Sequence, residues 1–525
     1  MIENVIDSLL KPAAYPDPTP DVRLIQTHVS FIFVTKQFVY KVKKPVELGF
    51  LNFTTLERRQ FYCHEELRLN RRLAPEIYLE VVPVRLTPRG ASLCGDGEVI
   101  DYAVKMLRLP EELMMSRLLA EGGVTATQVR CLARIVARFH LAAATGPEIA
   151  RYGEPEAILA NWEENFTIVA PFVGRTISRE DFRLIRGWVR EFLDGNMLLF
   201  QRRVTDGFIR EGDGDLHGGN ICLTDPPVIF DCIEFNERFR CLDTAADIAF
   251  LLMDLEYYGA GRLVKEFVAE YCAITKDPGA GELLPFYELY RTVIRGEVES
   301  IKSGQQELSP EEREEAGESA RRHFRLARGL IIRENLSPTL FITCGLSGSG
   351  KSALASELSL QLGLDHFSSD RLRKQLAGLT PTERCSDDQR DALYGHSFTR
   401  KTYDRLLEAA QEALREGRNV IVDATFRERR ERMAFHHLAA THGVRFVILR
   451  LRAPETVILE RLQAREQQRD VISDARESVY FSQKNEFEPP ETFEGELMVV
   501  DTTQTLLHTV DALLTSLGVL PCGHN

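Results

Sequence analysis

The residues with the clearest chemical reading fall between Gly214 and Asp231. In Gly214-Asp215-Leu216-His217-Gly218-Gly219-Asn220 and the later Val228-Ile229-Phe230-Asp231, three polar residues (Asp215, Asn220 and Asp231) sit at the ends of short apolar segments. One carboxylate so placed can accept the proton of an attacking hydroxyl. An amide oxygen and a second carboxylate can hold Mg²⁺ against nucleotide phosphates, because Mg²⁺ takes oxygen ligands and few carboxylates. An Asp/Gly-rich turn alone would be a solvent-facing hairpin, but here an aspartate ending an apolar strand follows Asn220 by eleven residues.

A second chemical stretch is Gly345-Leu346-Ser347-Gly348-Ser349-Gly350-Lys351-Ser352, lying between the apolar run 340–344 and the amphipathic run 353–362. Strand, glycine loop and helix are the setting of a phosphate-binding loop. The loop from Gly345 through Ser347, Gly348, Ser349 and Gly350 would turn backbone N–H groups toward phosphate oxygens, aided by the positive end of the helix. Lys351 would reach the β- and γ-phosphates and the Ser352 hydroxyl would hold Mg²⁺. Asp370 is expected at the end of a short strand with Arg373 one helical turn on, and Asp423 ends the buried run 419–422. Carboxyl ends of parallel strands are where such folds collect ligands. Arg461, Arg465 and Arg469, spaced by four on one helix, could close as a lid on the transferring phosphate.

The elements that would position these groups follow from periodicity. Residues 24–26, 31–35 and 38–43 alternate or run β-branched and aromatic, predicting short strands, and 56–73 reads as a helix carrying Glu65 and Glu66. Lys41 lies inside an otherwise apolar strand. In protein-kinase-like folds a strand lysine pairs with a glutamate of the next helix and holds the α- and β-phosphates, which makes Glu66 the first choice of partner and Glu65 the second. The run 100–107 leading into Pro110 would be the hinge between lobes. The loop Thr27-His28-Val29-Ser30 has no glycine-rich pattern, so Ser30 and backbone amides would have to serve in place of glycines. From 111 to 336 the pattern is mostly helical. The Glu/Arg-rich helix expected over 310–332 reads as a solvated face, and Asn335-Leu336-Ser337-Pro338 as a domain boundary. Beyond it, strands alternate with helices, which predicts a parallel sheet.

At 525 residues the chain exceeds one core, and roughly two to four domains are expected. A net charge of −13 argues against nucleic acid as a partner. Ten cysteines without a CxxC pair suggest reduced thiols. No signal-like N-terminus or membrane-length apolar run is visible, so a cytoplasmic protein acting on a small molecule is expected.

The stretch 214–220 resembles the catalytic loop of aminoglycoside phosphotransferase and choline-kinase-like enzymes. Ile229-Phe230-Asp231 resembles their metal-binding strand end, and Asp243-Thr244-Ala245-Ala246-Asp247-Ile248-Ala249 their following helix start. The resemblance implies Asp215 as base, Asn220 and Asp231 as metal ligands and Asp247 as a support for the loop. Asp213 stands where those enzymes often carry histidine. The C-terminal half resembles small P-loop kinases of the gluconate-kinase, polynucleotide-kinase and zeta-toxin type, which implies Asp370 as base, Arg373 as substrate clamp and Asp423 as a second acid near metal or substrate. Phe426 departs from them, since many have asparagine after Asp-Ala-Thr. The whole chain resembles a family of bacterial two-domain proteins fusing a phosphotransferase-like domain to a P-loop ATPase.

The expected fold is an α+β bilobal protein-kinase-like domain over 1–336 (small lobe about 1–110, helical lobe about 111–336), then an α/β P-loop domain with a parallel sheet over 337–525. The expected function is bifunctional ATP- and Mg²⁺-dependent phosphorylation of hydroxyls on small polar metabolites, sugar or aminoglycoside-like. The alternatives are that one domain is a nucleotide-sensing regulator of the other, or that the second repairs nucleic-acid ends.

Overall fold

The alternating runs of the first hundred residues form an antiparallel sheet. Its strands are β1 (Arg23–Gln26), β2 (Ser30–Val34), β3 (Phe38–Lys43), β4 (Tyr78–Thr87), β5 (Gly90–Ser92) and β6 (Glu98–Leu107), in the order β1-β2-β3-β6-β4-β5. β3 is therefore interior, with Lys41 opposite Val104 of β6 and Ile32 of β2. Its period of two sends Tyr40 and Val42 into one apolar cluster with Phe33, Val84 and Ala103, and turns Lys41 and Lys43 to the other face. Helix Leu56–Asn70 covers that second face. Thr55 caps it by accepting Arg58 N–H at 3.3 Å, and Arg59, Cys63, Glu66 and Asn70 form its buried stripe.

This is a computed structural model describing residues 2–49, 51–380, 393–466 and 477–520. The chain divides into two compact units, 1–173 with 186–301 and 174–185 with 302–525. In the first unit the sheet is followed by helices and by two small ribbons, β7 (Ile209–Glu211) with β10 (Cys241–Asp243) and β8 (Ile221–Cys222) with β9 (Val228–Ile229).

The second unit holds a five-stranded, all-parallel sheet of β11 (Thr339–Cys344), β12 (Asp365–Ser368), β13 (Val420–Asp423), β14 (Arg445–Arg452) and β15 (Glu496–Asp501), ordered β12-β13-β11-β14-β15. Every residue of central β11 is buried. Phe341 joins one core with helices Lys351–Leu362 and Leu506–Ser516, while Leu340, Ile342 and Cys344 join the other with helices His396–Arg415 and Arg429–His442. Two-sided burial explains the unbroken apolar runs that mark these strands.

Helix Pro310–Ile332, grouped by sequence with the first half, belongs to the second unit. Its Gly329 runs so close to helix Lys351–Leu362 that a Cβ there would lie 2.3 Å from Gln361 O. Arg328 Nη2 donates to Gln361 Oε1 at 2.6 Å, and Ile332 enters the core of Leu354 and Leu358. The Glu/Arg residues of its first half lie toward solvent, as in Arg321 with Glu314 and Glu318, whereas Arg328 is buried. No helix among the described residues is long and apolar enough to cross a membrane.

Candidate active sites

In the first unit Lys41 and Glu66 meet as expected, Nζ to Oε1 at 3.0 Å, and Lys41 Nζ also reaches Asp231 Oδ1 at 2.5 Å. Glu65 instead binds Arg68 at 2.8 Å. A second lysine was not singled out by the sequence reading: Lys43 donates to Glu66 Oε2 at 2.7 Å and to Glu234. Two strand lysines thus share one fully buried glutamate. Burial opposes ionisation of Glu66, but Lys41 and Lys43 overcome it and hold the carboxyl down to about 2. Burial opposes the charge of Lys41 too, yet Asp231, Glu66 and Glu234 raise it well above the usual lysine range. Ser30 is fully buried in β2, with a hydroxyl that no group among the described residues engages.

The loop between β7 and β8 is held from beneath. Asp247 accepts the N–H groups of Asp213 (2.7 Å) and Gly214 (2.9 Å) and is bonded to His140 Nε2 at 3.1 Å. Asp254 accepts Gly218 N–H at 2.7 Å. Gly214 has φ +86°, and a Cβ would lie 2.6 Å from Phe239 O, so the loop demands glycine there. Asp213 is buried; burial, then Asp247 and Asp215, push its carboxyl well above the usual range, and its Oδ1 accepts Asp215 N–H at 3.1 Å. A buried acid therefore stands where the sequence resemblance expects histidine.

Asp215 Oδ2 accepts from Asn220 Nδ2 at 2.8 Å and lies 3.4 Å from His217 Nε2. His217 Nδ1 accepts Gly219 N–H at 3.0 Å, which leaves the ring proton on Nε2, facing Asp215. Burial works against the ionised Asp215, but His217, Arg295 and Arg291 hold it below the usual carboxylate range. Asn220 turns its amide nitrogen to Asp215, so its oxygen is the atom suited to a cation. Asp231 sits at φ +67°, a left-handed conformation costing a non-glycine residue on the order of 1 kcal/mol. Its side chain stays 40% exposed. Asn220 and Asp231 are the oxygen donors through which Mg²⁺ would be held here.

In the second unit the predicted loop runs from β11 into helix Lys351–Leu362. Gly345, Gly348 and Gly350 have φ of +155°, +82° and +92°. A Cβ at Gly348 would lie 2.9 Å from Ile458 Cγ2. Ser349 Oγ is buried without a partner among the described residues, an orphan that fits a phosphate oxygen. Lys351 Nζ donates to Leu346 O at 2.9 Å. One cavity of about 280 Å³ is lined by Ser347, Lys351, Ser352, Asp370, Arg373 and Asp423, with Tyr394, Arg427 and Gln483. It joins the phosphate loop directly to the proposed base and clamp.

Asp370 lies in the first turn of helix Ser369–Leu376 rather than at the strand end, because β12 stops at Ser368. Its Oδ1 accepts Arg373 Nη1 at 3.1 Å, and Arg373 stacks on the Tyr394 ring at 4.3 Å. Asp423 accepts the Thr343 hydroxyl at 3.2 Å; burial opposes its ionisation, but His366, Lys351 and Ser352 keep it below the usual range. Among the described residues no three His, Cys, Asp or Glu side chains form a metal cage. Ser352 and Asp423 are the oxygen donors through which Mg²⁺, an ion bound by one or two side chains plus phosphates, would be held.

Arg461 is tied to Thr502, Nη1 to Oγ1 at 3.1 Å, and Thr502 in turn donates to Ser349 O at 3.0 Å. Arg465 is in helix Glu455–Glu466 but its side chain, like all of Arg469, lies outside the described residues. Phe426 packs in the core at φ +45°, a conformation in which asparagine is common and phenylalanine rare, with its N–H donated to Tyr403 Oη at 3.0 Å. Gln483 was not singled out by the sequence reading: its Oε1 accepts Ser347 N–H at 3.0 Å, inside the phosphate loop.

Residues 340–490 match the AAA domain family. Over 452 residues, 86% of this chain and 87% of theirs, the chain is 31% identical to uncharacterised proteins of Mycobacterium tuberculosis and Mycobacterium bovis. It belongs to their family. The AAA match falls wholly within its second unit. Among solved structures, a choline/ethanolamine kinase family protein from Mesorhizobium loti is 12% identical, with a TM-score of 0.39, over 62% of this chain and 94% of that one. A gluconokinase from Sinorhizobium meliloti is 25% identical, with a TM-score of 0.25, over 35% and 93%.

Proposed function

We propose that the protein is an ATP-dependent phosphotransferase with two active sites, each transferring a γ-phosphoryl group to a hydroxyl of a small polar metabolite. The observation that carries this reading is the single cavity in which Lys351 and Ser352 of the phosphate loop face Asp370 and Arg373. A binding module would need the loop but not a carboxylate and a guanidinium across from it.

In the second site Asp370 takes the proton of the acceptor hydroxyl and Arg373 steadies the acceptor or the transferring group. Lys351 swings from Leu346 O to the phosphates. In the first site Asp215 takes the proton, with its Oδ2 steered by Asn220 and His217, while Lys41 moves from Asp231 to the phosphates and Glu66 retains it. Asn220 and Asp231 in the first site, and Ser352 and Asp423 in the second, would hold Mg²⁺, which would offset phosphate charge.

The test is formation of phosphorylated product from a metabolite library by the full chain and by Asp215→Ala, Asp370→Ala and doubly substituted proteins. Each single change should erase one set of products. Products that survive the double change would sink both base assignments. If Asp215→Ala removes no product but alters turnover at the second site, the first unit is a regulator.

A further inference from the structure

Helix Ala280–Ser303 carries Arg291 and Arg295 four residues apart, on one face. Arg291 is 6% exposed, donates Nε to Ala246 O at 3.0 Å, and lays its guanidinium 4.7 Å from the centre of the Phe250 ring. The His217 ring lies 5.1 Å from that same phenylalanine, and His217 Nε2 lies 3.4 Å from Asp215 Oδ2. The arginine face is therefore one aromatic ring away from the proposed base. Arg295, one turn on, has a buried Nε without a partner. Its one ion pair among the described residues, to Glu299, spans 3.8 Å.

Three other acids of this region are occupied or discharged. Asp254 accepts Gly218 N–H, and Asp247 holds the loop backbone and His140. Glu297, on the same helix, is pushed up to about 8, first by burial and then by Glu164, so it is mostly protonated at neutral pH. The first site thus sets its base near two guanidinium groups whose one ion pair among the described residues is the 3.8 Å contact of Arg295 with Glu299.

We propose that the acceptor at the first site is an anionic hydroxyl compound, a polyol bearing a phosphate ester or a carboxylate, whose acid group is held by Arg295 and Arg291 while its hydroxyl meets Asp215. This rests on the reading of Asp215 as base. The hydroxyl proton passes to the Asp215 carboxylate, the hydroxyl oxygen bonds to the γ-phosphorus of ATP, and the bond from that phosphorus to the β–γ bridging oxygen breaks as ADP leaves. Without the arginines an anion would be repelled by Asp215. With them, a cationic acceptor of the aminoglycoside or choline type would be driven off by like charge.

The test uses the full chain carrying Asp370→Ala, ATP labelled in the γ position, and a metabolite extract divided by ion exchange into anionic, neutral and cationic pools. Labelled product should come from the anionic pool and vanish when Asp215→Ala is added. Phosphatase treatment of that pool beforehand removes the acceptor if it is a phosphate ester and spares a carboxylate. With the purified acceptor, Arg295→Gln should raise KM by about tenfold or more, as expected for losing a charge-assisted bond, with a smaller change in kcat, and Arg295→Lys should recover part of it. Asp215-dependent product from the neutral or cationic pool, or an unchanged KM in Arg295→Gln, overturns the proposal. Absence of Asp215-dependent product from every pool refutes the base assignment itself.

Discussion

Gln483 occupies, with its own carboxamide oxygen, a backbone donor that the phosphate loop would otherwise offer to nucleotide. It is set there by packing: helix Glu477–Glu486 docks on helix Glu455–Glu466 through Tyr480, which is buried against Ile458 and Leu462 and donates its hydroxyl to Glu455 at 3.1 Å. Ile458 and Leu462 in turn sit over Gly348. A phosphate oxygen arriving at Ser347 N–H must displace the 3.0 Å bond to Gln483. A net hydrogen bond contributes about 1 kcal/mol, so Gln483→Ala should tighten nucleotide binding roughly fivefold, since RT is about 0.59 kcal/mol. Gln483→Glu should weaken it by about tenfold or more, because its bond to the N–H is charge-assisted and its charge repels phosphate. The assay is titration of Mg·ADP by calorimetry into the full chain carrying Lys41→Met, which suppresses capture at the first site. Equal or weaker binding by Gln483→Ala would refute the reasoning.

Other outcomes follow from the first unit. Both tryptophans, Trp162 and Trp188, lie there, so intrinsic fluorescence follows its unfolding alone. Lys43→Met strands buried Glu234 and should cost about 3–5 kcal/mol in denaturant unfolding, whereas Lys41→Met should cost less, since Glu66 keeps Lys43. Equal losses would contradict the shared-glutamate geometry. Glu297 has a folded value of about 8 against an ordinary 4.5, so the folded state holds the extra proton between these limits and stability falls as pH rises through them. Glu297→Gln lacks that slope, and its stability advantage should widen from pH ~5 to pH ~8; a constant gap would count against the burial argument. Gly214→Ala should abolish first-site product while leaving Mg·ADP binding at the second site intact, measured on one preparation.

The groups legible in the sequence were those whose chemistry is local. A glycine loop between strand and helix, or Asp215 with Asn220 five residues on, carries its geometry in its spacing. Lys41 and Glu66 were within reach because a strand lysine and a helix glutamate are consecutive elements. Lys43 was also within reach, since it shares the face of Lys41 by the strand's period of two, but a lysine at a strand end reads as a solvent residue. Glu234, Arg291, Arg295 and Gln483 gave no such signal. Their partners are brought to them by tertiary packing, across 191 residues for Lys43 with Glu234 and 136 for Gln483 with Ser347. The assignment of helix Pro310–Ile332 went the same way: its charged face is visible in sequence, but the close approach at Gly329 that joins it to the phosphate-loop helix is not.

Glu66 answering to two lysines has a consequence for control. Many kinase-like folds are throttled by swinging the glutamate-bearing helix outward, which uncouples the single strand lysine. Here such a swing would strip both Lys41 and Lys43 of a buried counter-charge at once and leave Glu234 with the remainder. The helix is in effect soldered to the sheet at two points, so an outward swing would have to break both ion pairs together.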